Sequence, residues 1–160
     1  MADEKQKIES GNDAIGQSVP SATGMNADSP LHSAQLLIIE DDVFILDLLR
    51  DKLERAAGKV MVAYDADQAL KVLLSERVDI ILLDILLPKK DGFTFLRELK
   101  ADQRFKKIPV IILSNLGQKE EQERGMGLGA VDYIIKANSS PTEIIARVSR
   151  VMAEQKKLHQ

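Results

Sequence analysis

The chain has 160 residues, which is enough for one domain and a short extension but not for two large domains. Hydrophobic residues make up 44% of the chain and charged residues 29%, which is the composition of an ordinary globular protein. The absence of cysteine excludes disulfides, thiolate catalysis and cysteine-ligated metal sites, and the net charge of -3 argues against an autonomous nucleic-acid binder.

The N-terminal segment, residues 1–34, predicts a disordered tail. Its apolar positions are scattered, so it buries too little surface to offset the entropy of ordering. The opening MADEKQKIES lacks an apolar core, and no apolar run in the chain approaches the roughly 20 residues that a bilayer span requires. We therefore expect a cytoplasmic protein with no membrane partner.

From residue 35 onward, short apolar runs alternate with amphipathic stretches, as the strand–helix units of a parallel sheet require. The third and fourth runs are nearly continuous in Ile, Leu and Val, which is typical of strands covered on both faces. The predicted strands are Gln35–Ile39, Lys59–Ala63, Asp79–Leu83, Ile108–Leu113 and Val131–Ile135.

The helices between these strands carry apolar stripes, and the last one is the most clearly marked. Ser140 as N-cap, Pro141 in the first turn and Glu143 as the capping-box partner indicate where it begins. Right-handed crossovers place helices on both faces of the sheet. The predicted fold class is therefore α/β, a doubly wound three-layer sandwich around a five-stranded parallel sheet.

Ligands of open α/β sheets bind outside the carboxyl ends of the strands, and polar residues stand at those ends here. Asp42 is predicted to cap the helix that follows the first strand. The residues predicted to converge are Glu40 and Asp41 after the first strand, Asp84 after the third, Ser114 after the fourth and Lys136 at the end of the fifth.

These residue types point to phosphoryl chemistry with a metal ion. Carboxylates placed close together repel one another unless a cation or a proton lies between them, and Mg²⁺ is the hard cation that suits oxygen ligands and substrate phosphate. Lys136 and Ser114 would stabilise a phosphoryl group there. Asp84 is the predicted nucleophile because it has no acidic neighbour in sequence, whereas Glu40 and Asp41 are placed to ligate the metal.

Taken in order, four motifs resemble the receiver domain of two-component response regulators, and the likeness covers residues 35–158. The motifs are IIEDD at 38–42, LLDILLPKKDG at 82–92, IILSN at 111–115 and GAVDYIIK at 129–136. The resemblance implies a CheY-like, flavodoxin-like sheet of order 2-1-3-4-5. It also implies that a histidine kinase or a histidine phosphotransfer protein phosphorylates Asp84, with Asp41, Asp84 and the backbone carbonyl of Leu86 contacting Mg²⁺.

The resemblance further implies a switch. Ser114 would move toward the phosphoryl group while Tyr133 turns inward, which remodels the face of the fourth helix, fifth strand and fifth helix for a partner. The alternative for Tyr133 is a packed strand aromatic. We expect a stand-alone receiver that assists only its own phosphoryl transfer and dephosphorylation, acts on a downstream protein or as a phosphorylation-dependent dimer, and does not contact nucleic acid directly.

Three positions depart from the family's usual pattern. Ala137 follows Lys136 where many relatives have proline, often after a cis bond, and a cis bond before alanine would cost about 3 kcal/mol. Asn115 stands where the family generally has a smaller residue, and Leu86 puts an apolar side chain at the pocket mouth. Because both side chains hinder water, we expect slow self-dephosphorylation.

A GxGxG run, formed by Gly125, Gly127 and Gly129, precedes the fifth strand instead of following the first, which argues against dinucleotide binding. Gly129 is predicted to end the fourth helix. Gly125 and Gly127 are predicted to lie within that helix, where each lowers helix stability by about 1 kcal/mol relative to alanine. We therefore expect the fourth helix to be the least stable element of the face that it forms with the fifth strand and the fifth helix.

Two enzyme or cofactor functions fit less well than a receiver. A haloacid-dehalogenase-like phosphatase carries a second Asp two positions after its nucleophile, where this chain has Leu86. A flavodoxin-like FMN binder needs backbone or hydroxyl donors after the first strand, where this chain has acids that repel phosphate. The alternative that stays open is a phosphorylation-independent scaffold or adaptor with the same fold.

Overall fold

The structure is a computed structural model that describes residues 28–160. Within these residues, five strands alternate with five α-helices. The strands are β1 (Gln35–Ile39), β2 (Lys59–Ala63), β3 (Ile80–Leu83), β4 (Val110–Ser114) and β5 (Asp132–Ile135). The helices are α1 (Val43–Ala56), α2 (Ala66–Ser75), α3 (Gly92–Ala101), α4 (Lys119–Gly127) and α5 (Pro141–Leu158).

The strands form one parallel sheet in the order β2-β1-β3-β4-β5, which confirms the predicted fold class and strand order. β3 lies at the centre and all of its residues are buried, as its apolar sequence requires. β1 and β2 have the predicted bounds, whereas β3, β4 and β5 begin one or two residues later than predicted.

Helices cover both faces of the sheet. Alternate residues of a strand point to opposite faces, so Leu37 and Ile39 of β1 join the core under α2 and α3, whereas Leu36 and Ile38 join the core under α1 and α5. The sheet and the helices packed over its two faces form the three predicted layers. Within residues 28–160, no helix combines the length and the apolar character needed to cross a membrane.

The predicted helix caps are confirmed. The Asp42 carboxylate accepts hydrogen bonds from the first backbone N–H groups of α1. At the start of α5, the Glu143 N–H donates to Ser140 Oγ at 3.2 Å and the Ser140 N–H donates to the Glu143 carboxylate at 2.9 Å, which completes the capping box. The Asp42 cap fixes where the chain leaves the carboxyl edge of β1 and begins α1. The capping box fixes where α5 begins.

The packed region begins earlier than the boundary predicted at residue 35. Leu31 is fully buried and Ala34 nearly so in the core under α1 and α5, and the Gly58 N–H donates to both of their carbonyls. Leu31 and Ala34 do not belong to a run with helical or strand periodicity, so the sequence did not predict their burial. The rest of the expected tail, residues 1–27, lies outside the described residues.

The two glycines inside α4 have different surroundings. A Cβ atom on Gly125 would clash with Ile112 Cδ1 and lie 3.1 Å from the Tyr133 ring, whereas nothing lies within 4 Å of one on Gly127. Gly129 follows the helix with a φ of 106°, the left-handed conformation that commonly ends a helix. Gly125 therefore lets α4 approach the sheet closely, and Gly127 has no such packing role.

We expect Leu31→Ala to lower the free energy of unfolding by about 2–5 kcal/mol, because it leaves a cavity in the core under α1 and α5. Leu158→Ala is the matched control, since Leu158 is 75% exposed and its truncation should change stability by less than about 0.5 kcal/mol. Urea denaturation followed by circular dichroism measures both variants. Equal midpoints for the two would contradict the packing of Leu31.

The two helical glycines should respond to alanine in opposite directions. Gly127→Ala is expected to stabilise the protein by about 0.5–1 kcal/mol, because alanine is the better helix former. Gly125→Ala is expected to destabilise it by about 1–3 kcal/mol through overpacking against Ile112 and Tyr133. In the wild type, hydrogen exchange should be faster in α4 than in α5, and equal protection of the two helices would refute the predicted weakness of α4.

Candidate functional site

Three carboxylates meet at the carboxyl edge of the sheet. Glu40 and Asp41 follow β1 and Asp84 follows β3, and these neighbouring strands end in register. One carboxylate oxygen of each residue lies within 4.8 Å of the others. Glu40 and Asp84 are buried and Asp41 is exposed, so the cluster opens to solvent on one side. The convergence predicted for these three carboxylates is present in the structure.

Lys136 links the two buried carboxylates. It follows β5, and its Nζ donates to Asp84 Oδ2 at 3.0 Å and forms an ion pair with Glu40 Oε2. The site thus holds three acidic groups and one ammonium. Asp41 is exposed, whereas Glu40, Asp84 and Lys136 have little contact with solvent. Such an excess of negative charge favours a proton or a cation between the carboxylates.

The electrostatics of the buried pair follow from this arrangement. Burial raises the pKa of Glu40 from 4.5 to about 7; the Lys136 hydrogen bond opposes this, and the charge of Asp84 adds to it. Burial alone would lower the pKa of Lys136, but its hydrogen bond to Glu40 and the charge of Asp84 raise it. Lys136 therefore stays an ammonium, while Glu40, with a pKa of about 7, exchanges its proton near neutral pH.

The donor set fits Mg²⁺, which takes hard oxygen ligands and is usually held by one or two carboxylates. Asp41 offers an exposed carboxylate, and Lys136 contacts one oxygen of each of the two buried acids. The Leu86 N–H donates to Asp84 Oδ1 at 3.2 Å, so the Leu86 backbone lies directly beside this carboxylate. Ligation by Glu40, Asp41, Asp84 and the Leu86 carbonyl stays a prediction.

Ser114 and Tyr133 lie beneath the loop between β4 and α4. Ser114 is fully buried, and its Oγ accepts a hydrogen bond from the Leu116 N–H at 3.3 Å. The Tyr133 hydroxyl donates to the Leu116 carbonyl at 2.5 Å, and the residue is only 7% exposed. Burial raises the pKa of Tyr133, and a hydrogen bond with Ser114 partly offsets this. The structure thus holds Tyr133 inward and packed, and its rotation on phosphorylation stays a prediction.

The loop after β5 explains two departures noted in the sequence. Lys136–Asn138 forms a short 3-10 turn, and the peptide bonds of residues 28–160 are trans. The Ala137 N–H donates to Asn115 Oδ1 at 3.1 Å, although the two residues are 22 positions apart. The sequence identified Asn115 and Ala137 separately but gave no indication that they touch, since no local pattern relates residues in two different loops.

The pairing of Asp132 and the exposure of Phe44 were not predicted. Asp132, on β5, is buried and paired with Arg147 of α5, whose Nε lies 2.7 Å from Asp132 Oδ2, so this ion pair joins α5 to the sheet. Two apolar side chains close in sequence to the acidic residues are also exposed, Phe44 at 84% and Leu86 at 58%. An acid within an apolar strand run, and a phenylalanine two positions after three consecutive acids, were the signals that could have pointed to them.

Comparison with known sequences points to one type of domain. The family model for the response regulator receiver domain matches residues 36–149. The chain is 38% identical over 119 residues to the DNA-binding dual master transcriptional regulator RpaA of Synechocystis and 36% identical over 118 residues to the phosphate regulon transcriptional regulatory protein PhoB of Escherichia coli. These alignments cover 74% of this chain but 48% and 51% of the relatives, so the chain spans about half the length of the curated relatives it matches.

Solved structures of receiver domains have the same fold. A putative response regulator from Chloroflexus aurantiacus matches with a TM-score of 0.71 and 29% identity, covering 76% of this chain and 98% of its own. A CheY-like receiver domain protein from Methanospirillum hungatei matches with a TM-score of 0.72 and 26% identity, covering 78% and 98%. These likenesses confirm the CheY-like fold, while the stand-alone form stays a prediction.

We expect the metal-free protein to become less stable as the pH rises from about 4.5 to about 7, with Glu40 as the cause. In this range the folded protein keeps Glu40 protonated, because burial raises its pKa to about 7, whereas the unfolded chain releases the proton. The folded state therefore binds more protons, and raising the pH favours unfolding. The loss attributable to Glu40 should reach about 3 kcal/mol.

The measurement is urea denaturation in the presence of a chelator at several pH values for the wild type and Glu40→Gln. The glutamine side chain stays neutral throughout, so this component of the pH dependence should disappear in the variant. Parallel pH profiles for the two proteins would show that folding does not raise the pKa of Glu40.

Proposed function

The chain belongs to the response regulator receiver domain family, and on that premise we propose that it is a phosphoacceptor of a two-component phosphorelay, with Asp84 receiving the phosphoryl group. The observation that carries the proposal is the contact of Lys136 Nζ with Asp84 Oδ2 at 3.0 Å, beside the carboxylates of Glu40 and Asp41. A nucleophilic carboxylate thereby has an ammonium and a cation-binding cluster at the same place.

The proposed reaction is a phosphoryl transfer from a phosphohistidine of a histidine kinase or a histidine phosphotransfer protein. A carboxylate oxygen of Asp84 forms a bond to phosphorus, the donor's P–N bond breaks, and the leaving imidazole takes up a proton. Lys136 stays close to Asp84 and offsets the negative charge of the arriving group. Glu40, Asp41, Asp84 and the Leu86 carbonyl are the groups that would hold Mg²⁺, which when bound neutralises charge on the phosphoryl oxygens.

The output is proposed to follow from Ser114 and Tyr133. Both contact the backbone of Leu116, so a hydrogen bond from Ser114 to a phosphoryl oxygen would alter the loop that leads into α4. The face formed by α4, β5 and α5 would then change its affinity for a downstream protein or for a second copy of the chain. On this proposal the protein is cytoplasmic, acts on its own phosphoryl group rather than on external substrates, and does not contact nucleic acid directly.

The test is incubation of the purified protein with acetyl phosphate and Mg²⁺, followed by intact-mass measurement of the wild type and Asp84→Asn. We expect one phosphoryl group on the wild type and none on the variant, because the amide lacks a nucleophilic carboxylate oxygen. Omitting Mg²⁺ should reduce the yield strongly. A wild type that never gains mass would contradict the proposal and favour the scaffold alternative.

We also expect the phosphoryl group to be lost slowly, and to be lost several-fold faster in Asn115→Ala and Leu86→Asn. Both side chains are exposed beside the pocket mouth, where their bulk hinders the attacking water. The measurement is the loss of labelled phosphate from the purified, phosphorylated proteins. Unchanged rates in both variants would show that neither side chain limits the access of water.

A further inference from the structure

We propose that Asn115 is a positioning residue that fixes the loop carrying Lys136, through its hydrogen bond to the backbone N–H of Ala137. This inference rests on the proposed function, since it concerns how the ammonium of Lys136 is held beside Asp84. It adds a residue that does not itself touch the phosphoryl group.

The hydrogen bond lies where the pairing of two strands ends. β4 and β5 remain in register up to Ser114 and Ile135, after which one chain leads toward α4 and the other enters the turn Lys136–Asn138. Immediately beyond this point, Asn115 Oδ1 accepts the Ala137 N–H at 3.1 Å. The Asn115 side chain thus links the two chain segments just beyond the last backbone pairing of β4 with β5.

The turn needs an acceptor from outside itself. The first N–H groups of a helical turn have no partner within the turn, and a side chain at the N-cap position usually supplies one. Here the N-cap residue is Ile135, which has no side-chain acceptor and makes no capping hydrogen bond. Asn115, which directly follows the neighbouring strand β4, takes that role for Ala137.

This arrangement restrains the backbone of Lys136 on both sides. Ile135 precedes it in the sheet, Ala137 follows it in the bond to Asn115, and the Ser139 N–H closes the turn on the Lys136 carbonyl at 3.3 Å. A lysine side chain has many rotamers, so a fixed Lys136 backbone reduces the number of positions that its Nζ can occupy. The restraint therefore favours the contact between Nζ and Asp84.

The same bond joins the two loops that carry the polar groups of the site. Asn115 directly follows Ser114, and Ala137 directly follows Lys136. A displacement of the Ser114 loop toward a phosphoryl group is thus transmitted to the Lys136 turn through one hydrogen bond. The hydroxyl and the ammonium are expected to approach the phosphoryl oxygens together.

The first test compares three variants in the acetyl phosphate reaction. Asn115→Leu removes the acceptor at nearly the same volume, and Ala137→Pro removes the N–H donor. Each is expected to slow the phosphorylation of Asp84 by about two- to tenfold, the range that corresponds to one net hydrogen bond. Asn138→Leu makes the same chemical change at an exposed residue of the same turn and should react like the wild type.

The second test asks whether Asn115 acts through Lys136. In a Lys136→Met background, adding Asn115→Leu should slow the reaction no further, because there is no ammonium left to position. The double variant Asn115→Leu/Ala137→Pro should likewise be no slower than the slower single variant. A merely structural role for Asn115 predicts instead the same fold-reduction with and without Lys136.

Hydrogen exchange of the Ala137 amide provides a readout that needs no phosphorylation, and it should be about two- to tenfold faster in Asn115→Leu. Equal exchange in the two proteins would overturn the inference. So would wild-type phosphorylation rates in Asn115→Leu, or equal slowing in the Lys136→Met background. A wild type that accepts no phosphoryl group would overturn the proposed function itself, and the positioning role with it.

Discussion

The concentration of negative charge at the carboxyl edge of the sheet is the constraint on which the rest of the site depends. A parallel sheet brings the ends of β1 and β3 together, and in this chain both strands continue into carboxylates. Burying Glu40 and Asp84 is tolerable because Lys136 contacts both of them. Asp41 adds a further carboxylate that faces solvent, so the edge carries more acidic groups than the single ammonium of Lys136 can balance.

Contacts around this charge cluster connect the end of β4 with β5 and α4. Tyr133 and Ser114 share the backbone of Leu116 as a hydrogen-bond partner, and the Tyr133 ring packs beside Gly125 of α4. Gly125 is the buried residue of α4, so little apolar surface holds this helix against the sheet. A helix attached by so few contacts can be shifted at a low cost in free energy.

Local patterns in the sequence were sufficient for much of this architecture. The apolar runs predicted all five strands, and the capping box located the start of α5, because both depend on residues that are close in sequence. The strand ends predicted the acidic cluster and Lys136, since the topology of a parallel sheet leaves them little freedom. By contrast, the burial of Leu31 and the pairing of Asp132 with Arg147 depend on partners distant in the chain, for which no periodicity exists.

The bond between Asn115 and Ala137 implies that these two positions are not free to vary independently. A proline at 137 has no N–H to offer, so a sequence that acquires it no longer benefits from an amide at 115. A sequence that retains a donor at 137 gains from keeping an acceptor at 115. Among related chains, the identities of these two residues should therefore be correlated.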